Sequence, residues 1–364
     1  MKAKFITFTT VSFLLGIIQS SQVFANEQQD EVFPGNNERH LSEAAIYRFE
    51  FDNDLFFDSD NQFTNGWSFQ VHTPVADNWH SVDGPAEFLK DFGAWLPSLT
   101  AEDLKYRMSM SIGQIMQTPD DLANPNLISN DVPYAGVLTV KSSWTAYNDN
   151  EFRGFEMVLG VVGRPSLAEQ AQNLVHNATD ATIAEGWDNQ LETEPVFNAN
   201  YMRKKKFYKA GSPAGLSFDA VINGDIQLGT LLTSAGASIE TRFGSNMPRG
   251  FANRADPVGR YLTYNAKLAP PNPKQSSIYA SLIVGGTYFA HNLLLDGNVF
   301  RDVVHSVERE DLVGVATLGL HYERQSWAFH LDFFFTTDTI DTSKVTGNPD
   351  TNNNFGALTF EWRI

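Results

Sequence analysis

The stretch Tyr47-Arg48-Phe49-Glu50-Phe51-Asp52 decides the fold. Its aromatic residues fall on odd numbers and its charges on even ones. That period of two belongs to a β-strand with one face on an apolar medium and the other on a polar one. The next segment repeats the pattern, with Trp67, Phe69 and Val71 on one face and Thr64, Gly66, Ser68, Gln70 and His72 on the other. A polar face carrying Arg, Glu, Asp and His fits a wet lumen, which leaves the aromatic face to lipid. Similar segments recur near 45–54, 63–73, 105–115, 134–145, 154–163, 196–208, 214–223, 226–242, 276–290, 310–322, 327–336 and 354–364. Several run to about ten residues, the length with which a tilted strand crosses the hydrocarbon layer, and their number is even. The expected fold class is all-β: a transmembrane antiparallel up-and-down β-barrel of about 12 strands, with a short helix in an extracellular loop.

Composition agrees with this reading. Aromatics make up 13% of the chain, with 28 Phe, 11 Tyr and 7 Trp, as aromatic girdles around an apolar band require. The chain stops on Leu358, Phe360, Trp362 and Ile364, all on one strand face, which suits barrel closure and recognition by the outer-membrane insertion machinery. Phe218-Asp219-Ala220-Val221-Ile222 followed by Asn223-Gly224-Asp225 reads as a tight hairpin. With both termini in the periplasm, 74–104 and 243–275 become long periplasmic connections. Within the first of these, the segment from Phe88 to Leu96 reads as a short helix on the membrane surface.

The N-terminus addresses the chain to export. Lys2 and Lys4 precede an uncharged, mostly apolar run from Phe5 to Ile18, and Val23-Phe24-Ala25 supplies a cleavage site. That is the pattern of a secretory signal peptide over 1–25, which leaves 26–364 as an outer-membrane β-barrel domain. The expected location is the bacterial outer membrane. There are no cysteines, which removes Cys nucleophiles and Cys-based zinc sites. The formal net charge of -17 argues against nucleic acid as a partner and fits a site for cations.

One segment breaks the period of two. Ser166 and Glu169 have the spacing of a capping box and good helix formers follow, so a helix is expected over 167–180 within an extracellular loop of about 164–195. Glu169, Gln172, Asn173, His176 and Asp180 lie three or four apart and form one polar stripe. Leu167, Ala171, Leu174 and Ala178 form a second face, expected to pack. Three other clusters share the extracellular end by strand parity. The first is Phe51-Asp52-Asn53-Asp54 with Asp58-Ser59-Asp60-Asn61 and Phe63-Thr64-Asn65-Gly66, whose crowded oxygen atoms suit calcium rather than softer metals. The second is Asn130-Asp131-Val132-Pro133-Tyr134-Ala135-Gly136. The third is Gly186-Trp187-Asp188-Asn189-Gln190-Leu191, where Trp187 is expected to anchor at the lipid interface. His176 is a candidate proton carrier near neutral pH. Neither a Gly-x-Ser-x-Gly elbow nor a His-Glu-x-x-His helix occurs.

These residues resemble the outer-membrane lipid A deacylases that remove the 3′-O-linked acyl group. The resemblance rests on Asp52-Asn53-Asp54, Phe63-Thr64-Asn65-Gly66, Pro133-Tyr134-Ala135-Gly136, Gly160-Val161-Val162-Gly163, Gln172-Asn173-Leu174-Val175-His176 and Gly186-Trp187-Asp188-Asn189-Gln190. These are six short pieces in the right order along the mature chain. The resemblance implies a twelve-stranded barrel with its active site between the wall and a helical extracellular loop. It implies hydrolysis of the 3′-linked acyl or acyloxyacyl ester of lipid A, assisted by Ca2+, with His176 as the general base. It implies that Asn53, Asp54 and Thr64 complete the site, with Asp54 and Asn53 as candidate calcium ligands, and that Gln172 aligns His176. A member of that family carries a glutamate about six residues after its catalytic His, where this chain has Thr182, with Asp180 and Glu185 as candidate substitutes. Strict alternation also points Asn53 and Asp54 to opposite faces. The expected protein is a monomer acting on lipopolysaccharide in the outer leaflet. The rival readings are a small pore or surface-binding barrel, and an outer-membrane phospholipase.

Overall fold

Twelve strands close on themselves. The computed structural model describes residues 44–53, 63–101, 103–179, 182–252, 254–255, 262–341 and 351–364. The signal-peptide segment 1–25, Asp54 and Asp180 lie outside the described residues, and so does the side chain of Thr64. The barrel strands are β1 (Ile46–Asn53), β2 (Phe63–His72), β3 (Lys105–Gln117), β4 (Ala135–Tyr147), β5 (Glu151–Val162), β6 (Glu194–Gly211), β7 (Leu216–Gly229) and β8 (Leu232–Ser245). After a short pair, β9 (Arg249–Gly250) and β10 (Lys267–Leu268), come β11 (Ser277–Asn292), β12 (Leu312–Glu323), β13 (Trp327–Thr336) and β14 (Phe355–Arg363). All barrel pairings are antiparallel, and β1 joins β14 from Ile46↔Arg363 to Asn53↔Gly356. Closure leaves no edge strand with unpaired backbone groups, which is what a hydrocarbon environment demands.

Side chains alternate as the sequence predicts. On β1 and β2, Arg48, Glu50, Asp52, Gln70 and His72 are buried in the lumen, while Phe49 and Phe69 face outward and are exposed. On the outward face Trp362 of the last strand stacks on Tyr47 of β1, 5.9 Å away, and lies tilted against Phe69 of β2 at 6.0 Å. One predicted hairpin is wrong. Asn223-Gly224-Asp225 lies inside β7, and the turn to β8 falls at Thr230-Leu231 instead. Asn223 is a buried lumen residue whose amide donates to Ser238 Oγ at 3.1 Å. Lumen-facing polar residues alternating with a glycine imitate turn chemistry there.

The lumen is not wet in the sense the charged face suggested, because it is packed. The connection between β8 and β11, expected in the periplasm, instead folds into the barrel, where Phe251, Leu262, Tyr264 and Ala266 are fully buried. Inward-facing strand residues hold its backbone. Arg48 donates to the Tyr264 carbonyl at 3.1 Å, Arg107 to Asn265 Oδ1 at 3.0 Å and Arg242 to the Gly250 carbonyl at 2.9 Å. Lys204 bridges Glu240 at 2.9 Å and the Tyr264 hydroxyl at 2.6 Å. Lys267 of the inserted segment pairs with Glu361 at 2.8 Å and Glu323 at 3.2 Å. Several strand charges that would otherwise need water find partners on this plug, as burial of ionic groups favours.

The other long connection takes the opposite route. It carries α1 (Glu87–Trp95), which docks on the outer wall at the end where β1 begins and β14 finishes. The Trp144 indole N–H donates to the Leu89 carbonyl at 2.8 Å, and the Phe92 ring sits 4.9 Å from Trp144. Gly93 leaves room for this, since a Cβ there would lie 2.8 Å from Trp79 and Trp144. Phe88 and Trp95 remain exposed, as expected of a helix at a membrane surface.

Candidate active site

The outer wall changes character toward the loop end of β1 to β4. On β3, Met110 and Ile112 face outward and are exposed, but Gln114 and Met116 on the same face are buried. Asn53 on β1 and Asn65 on β2 are register partners, and both are buried. Asn53 follows the parity of Phe49 and Phe51, so it lies on the outer wall rather than in the lumen. Strict alternation, which the sequence pattern predicts through β2, fails locally at Thr64. Between Phe63 and Asn65 the register of β2 against β3 shifts by a residue, so an irregular backbone stands where the sequence pattern expected strict alternation.

The cover over this part of the wall is the loop after β5. Gly163, at φ 91, donates its N–H to the Gly136 carbonyl at 2.9 Å. A 3-10 turn at Arg164–Ser166 and Leu167 at φ 60 then lead into α2 (Ala168–Thr179). The Ser166 hydroxyl accepts the Ala168 N–H at 3.4 Å. Gly136 on β4 allows the helix to touch the wall, because a Cβ there would lie 2.3 Å from both the Ala168 Cβ and the Ser166 Oγ. From the wall side, Gln114 receives the Trp67 indole N–H at 2.9 Å and donates to the Ser166 carbonyl at 2.5 Å.

The orientation of α2 corrects the expectation for its two faces. Leu167 and Leu174 do not pack; they are 56% and 73% exposed, and Val175 is exposed beside them. The polar stripe turns inward, and Gln172 on it is 2% exposed. In water this arrangement would be inverted; against lipid it is the one that buries polar groups. Trp187 is likewise no lipid anchor. It is buried, 5.2 Å from the Tyr134 ring, and its indole N–H donates to Gln172 Oε1 at 2.7 Å. The Gln172 amide nitrogen is buried and has no hydrogen-bond partner among the described residues. Burial pushes the Tyr134 phenol above its ordinary range, so it stays a neutral hydroxyl at pH 7.

His176 sits on the same helix, one turn after Gln172. Its Nδ1 is 2.5 Å from the Thr182 backbone carbonyl. A carbonyl can only accept, so Nδ1 carries a proton, and the lone pair of the neutral imidazole is then the one on Nε2. Thr182, which stands where a carboxylate was expected, thus contributes through its backbone. The structure therefore brings Gln172 and His176 together on one helix face. Asn53 stays on the same outer wall, with β2 between it and β3.

Sequence reasoning missed Gln114 and the role of the Thr182 carbonyl. Gln114 was open to detection, being a polar residue on the lipid-facing parity of β3 between Ile112 and Met116. As for calcium, Asn53 and Asn65 present neighbouring side-chain amides at the wall, whose oxygens are of the hard kind that calcium takes. Among the described residues, three convergent His, Asp or Glu ligand atoms occur at His80, Glu87 and Asp91, all exposed. These belong to the connection at the opposite end of the barrel.

Residues 10–364 match the family described as Outer membrane protein LpxR. The chain belongs to the LpxR family. Among solved structures, LpxR from Salmonella typhimurium shares the fold at a TM-score of 0.68 and 14% identity, over 88% of this chain and 100% of that one. The β domain of the Bordetella autotransporter BrkA matches over 88% of this chain and 99% of that one, at a TM-score of 0.41 and 6% identity. No curated protein matches the chain. Membership in the LpxR family, with a closed barrel and an apolar outer band, places the protein in the bacterial outer membrane. The three- and four-residue turns 148–150, 212–215 and 324–326 share the end where β1 begins and β14 ends. In barrels of this kind short turns face the periplasm, so α2 belongs to the opposite, outward end.

Proposed function

We propose that this LpxR-family protein removes the 3′-linked acyl or acyloxyacyl group of lipid A by attack of water on the ester, with His176 as general base. The observation that carries the reading is the hydrogen bond from His176 Nδ1 to the Thr182 carbonyl, on a helix clamped to the lipid-facing wall. It holds the imidazole in the tautomer whose Nε2 can take a proton from water and return it to the leaving alcohol. Gln172, fixed by Trp187, keeps a buried amide N–H that can stabilise the oxyanion as the carbonyl is attacked. Calcium, with Asn53 and Asp54 as its expected ligands, would supply further stabilisation of that negative charge. Thr64 completes the set on β2, and the barrel acts as a monomer on lipopolysaccharide.

A phospholipase would share the interfacial position, so substrate identity is the test. Purified protein is given mixed micelles of lipopolysaccharide or of phosphatidylethanolamine, in calcium or in chelator. Hydroxy or acyloxyacyl fatty acid released from lipopolysaccharide alone, and only with calcium, is the expected result. Release from the glycerophospholipid alone would overturn it.

A further inference from the structure

The loop between β11 and β12 runs through α3 (Leu293–Asp296) and then over the barrel rim to β6. Within it, Val299, Phe300, Val303 and Val304 are all exposed, Phe300 at 55%. These side chains do not cluster with one another in a core, and the backbone gives them no freedom to do so. The buried Glu194 carboxylate accepts the N–H of Val299 and of Phe300, each at 2.8 Å. Asn298 exchanges two hydrogen bonds with the backbone of Glu192, at 2.8 and 2.9 Å. Further on, His305 Nε2 donates to the Asp131 carbonyl at 2.6 Å, and Val307 packs with Val132, Leu295 and Ile340. A segment pinned at both ends holds its apolar side chains outward.

What covers them follows from where they point. The Phe300 ring is stacked on Phe197, 6.2 Å away, and Phe197 lies on the outer wall of β6 opposite Leu159 of β5. Both wall residues are exposed on the lipid-facing parity. Through Phe300 the loop's apolar patch therefore meets the hydrocarbon band of the barrel. Arg301 and Asp302, between the two apolar pairs, are exposed and suit the polar boundary rather than the hydrocarbon centre. An exposed patch of this kind on a rigid frame marks a surface with an apolar partner.

We infer that residues 299–304 form a strap set into the outer leaflet, where Val299, Phe300, Val303 and Val304 contact the acyl chains of its lipids. It stands apart from hydrolysis and holds whether or not the protein is a deacylase. The cysteine-free sequence makes the test direct. A nitroxide is attached at Val303→Cys, at Leu159→Cys on the lipid-facing wall and at Asn126→Cys in an exposed loop. Each protein is reconstituted in vesicles of lipopolysaccharide and phospholipid. Collision with oxygen is then compared with collision with a water-soluble nickel complex. The strap predicts an oxygen-to-nickel ratio at 303 several-fold above that at 126 and close to that at 159. A ratio equal to that at 126 would overturn the inference. So would dipolar broadening between labels at 303, since a second copy would then cover the patch. Repeating the measurement in His176→Ala protein separates this result from any failure of the hydrolase reading.

Discussion

At the residue scale the proposed chemistry rests on the hydrogen bond between His176 and the Thr182 carbonyl. Because the acceptor is backbone, Thr182→Ala should leave turnover near wild type, while His176→Ala should lower it by about 10²–10⁴-fold, the usual worth of a general base. Release of acid from lipopolysaccharide by each purified variant checks both. Equal losses in the two would mean that the threonine hydroxyl, not the backbone, orients the ring. The places of Gln172 and His176 on one helix face were legible from their spacing, while their roles came from the family resemblance. The Thr182 hydrogen bond was not legible, since any residue offers a carbonyl. Trp187 misled for a related reason. Its amphipathic ring suits an interface, yet the side chain is buried with its N–H on Gln172.

At the scale of elements, α2 is held to the wall by close approach at Gly136. Gly136→Val should push Ala168 and Ser166 away and lose activity while the barrel still assembles. Heat-modifiable mobility on gels reports the barrel, and acyl release reports the site. Retained activity would show that the helix tolerates displacement. Strand positions were legible because one face must meet lipid and the other must not, a constraint written residue by residue with period two. Turns and helix faces were less so. Asn223-Gly224-Asp225 satisfies the lumen rather than a turn, and Leu174 points outward because the medium there is apolar.

At the scale of the whole molecule, the plug decides between a pore and a closed barrel. With Phe251, Leu262 and Tyr264 buried in the lumen, the wild-type protein should not conduct ions in planar bilayers, and deletion of 248–268 should open it. Steady conductance of the intact protein would contradict the packed lumen. The inner wall carries buried ion pairs beside the plug, so removing one partner leaves an uncompensated charge. Lys204→Met, which strands Glu240, should destabilise the barrel by about 3–5 kcal/mol. The double variant with Glu240→Leu should recover most of that in urea unfolding in micelles. The plug was invisible in the sequence because a segment buried by polar walls reads like any long loop. Its partners, Arg48, Arg107, Lys204 and Glu361, looked like a hydrated face for the same reason.

The most direct test of the central claim is mass spectrometry of lipid A from cells expressing wild-type protein or His176→Ala, with and without added calcium. The proposed activity predicts a mass loss equal to one acyl or acyloxyacyl group, seen only with the wild-type protein and calcium. Unchanged lipid A from cells whose outer membrane holds the folded wild-type barrel would contradict it.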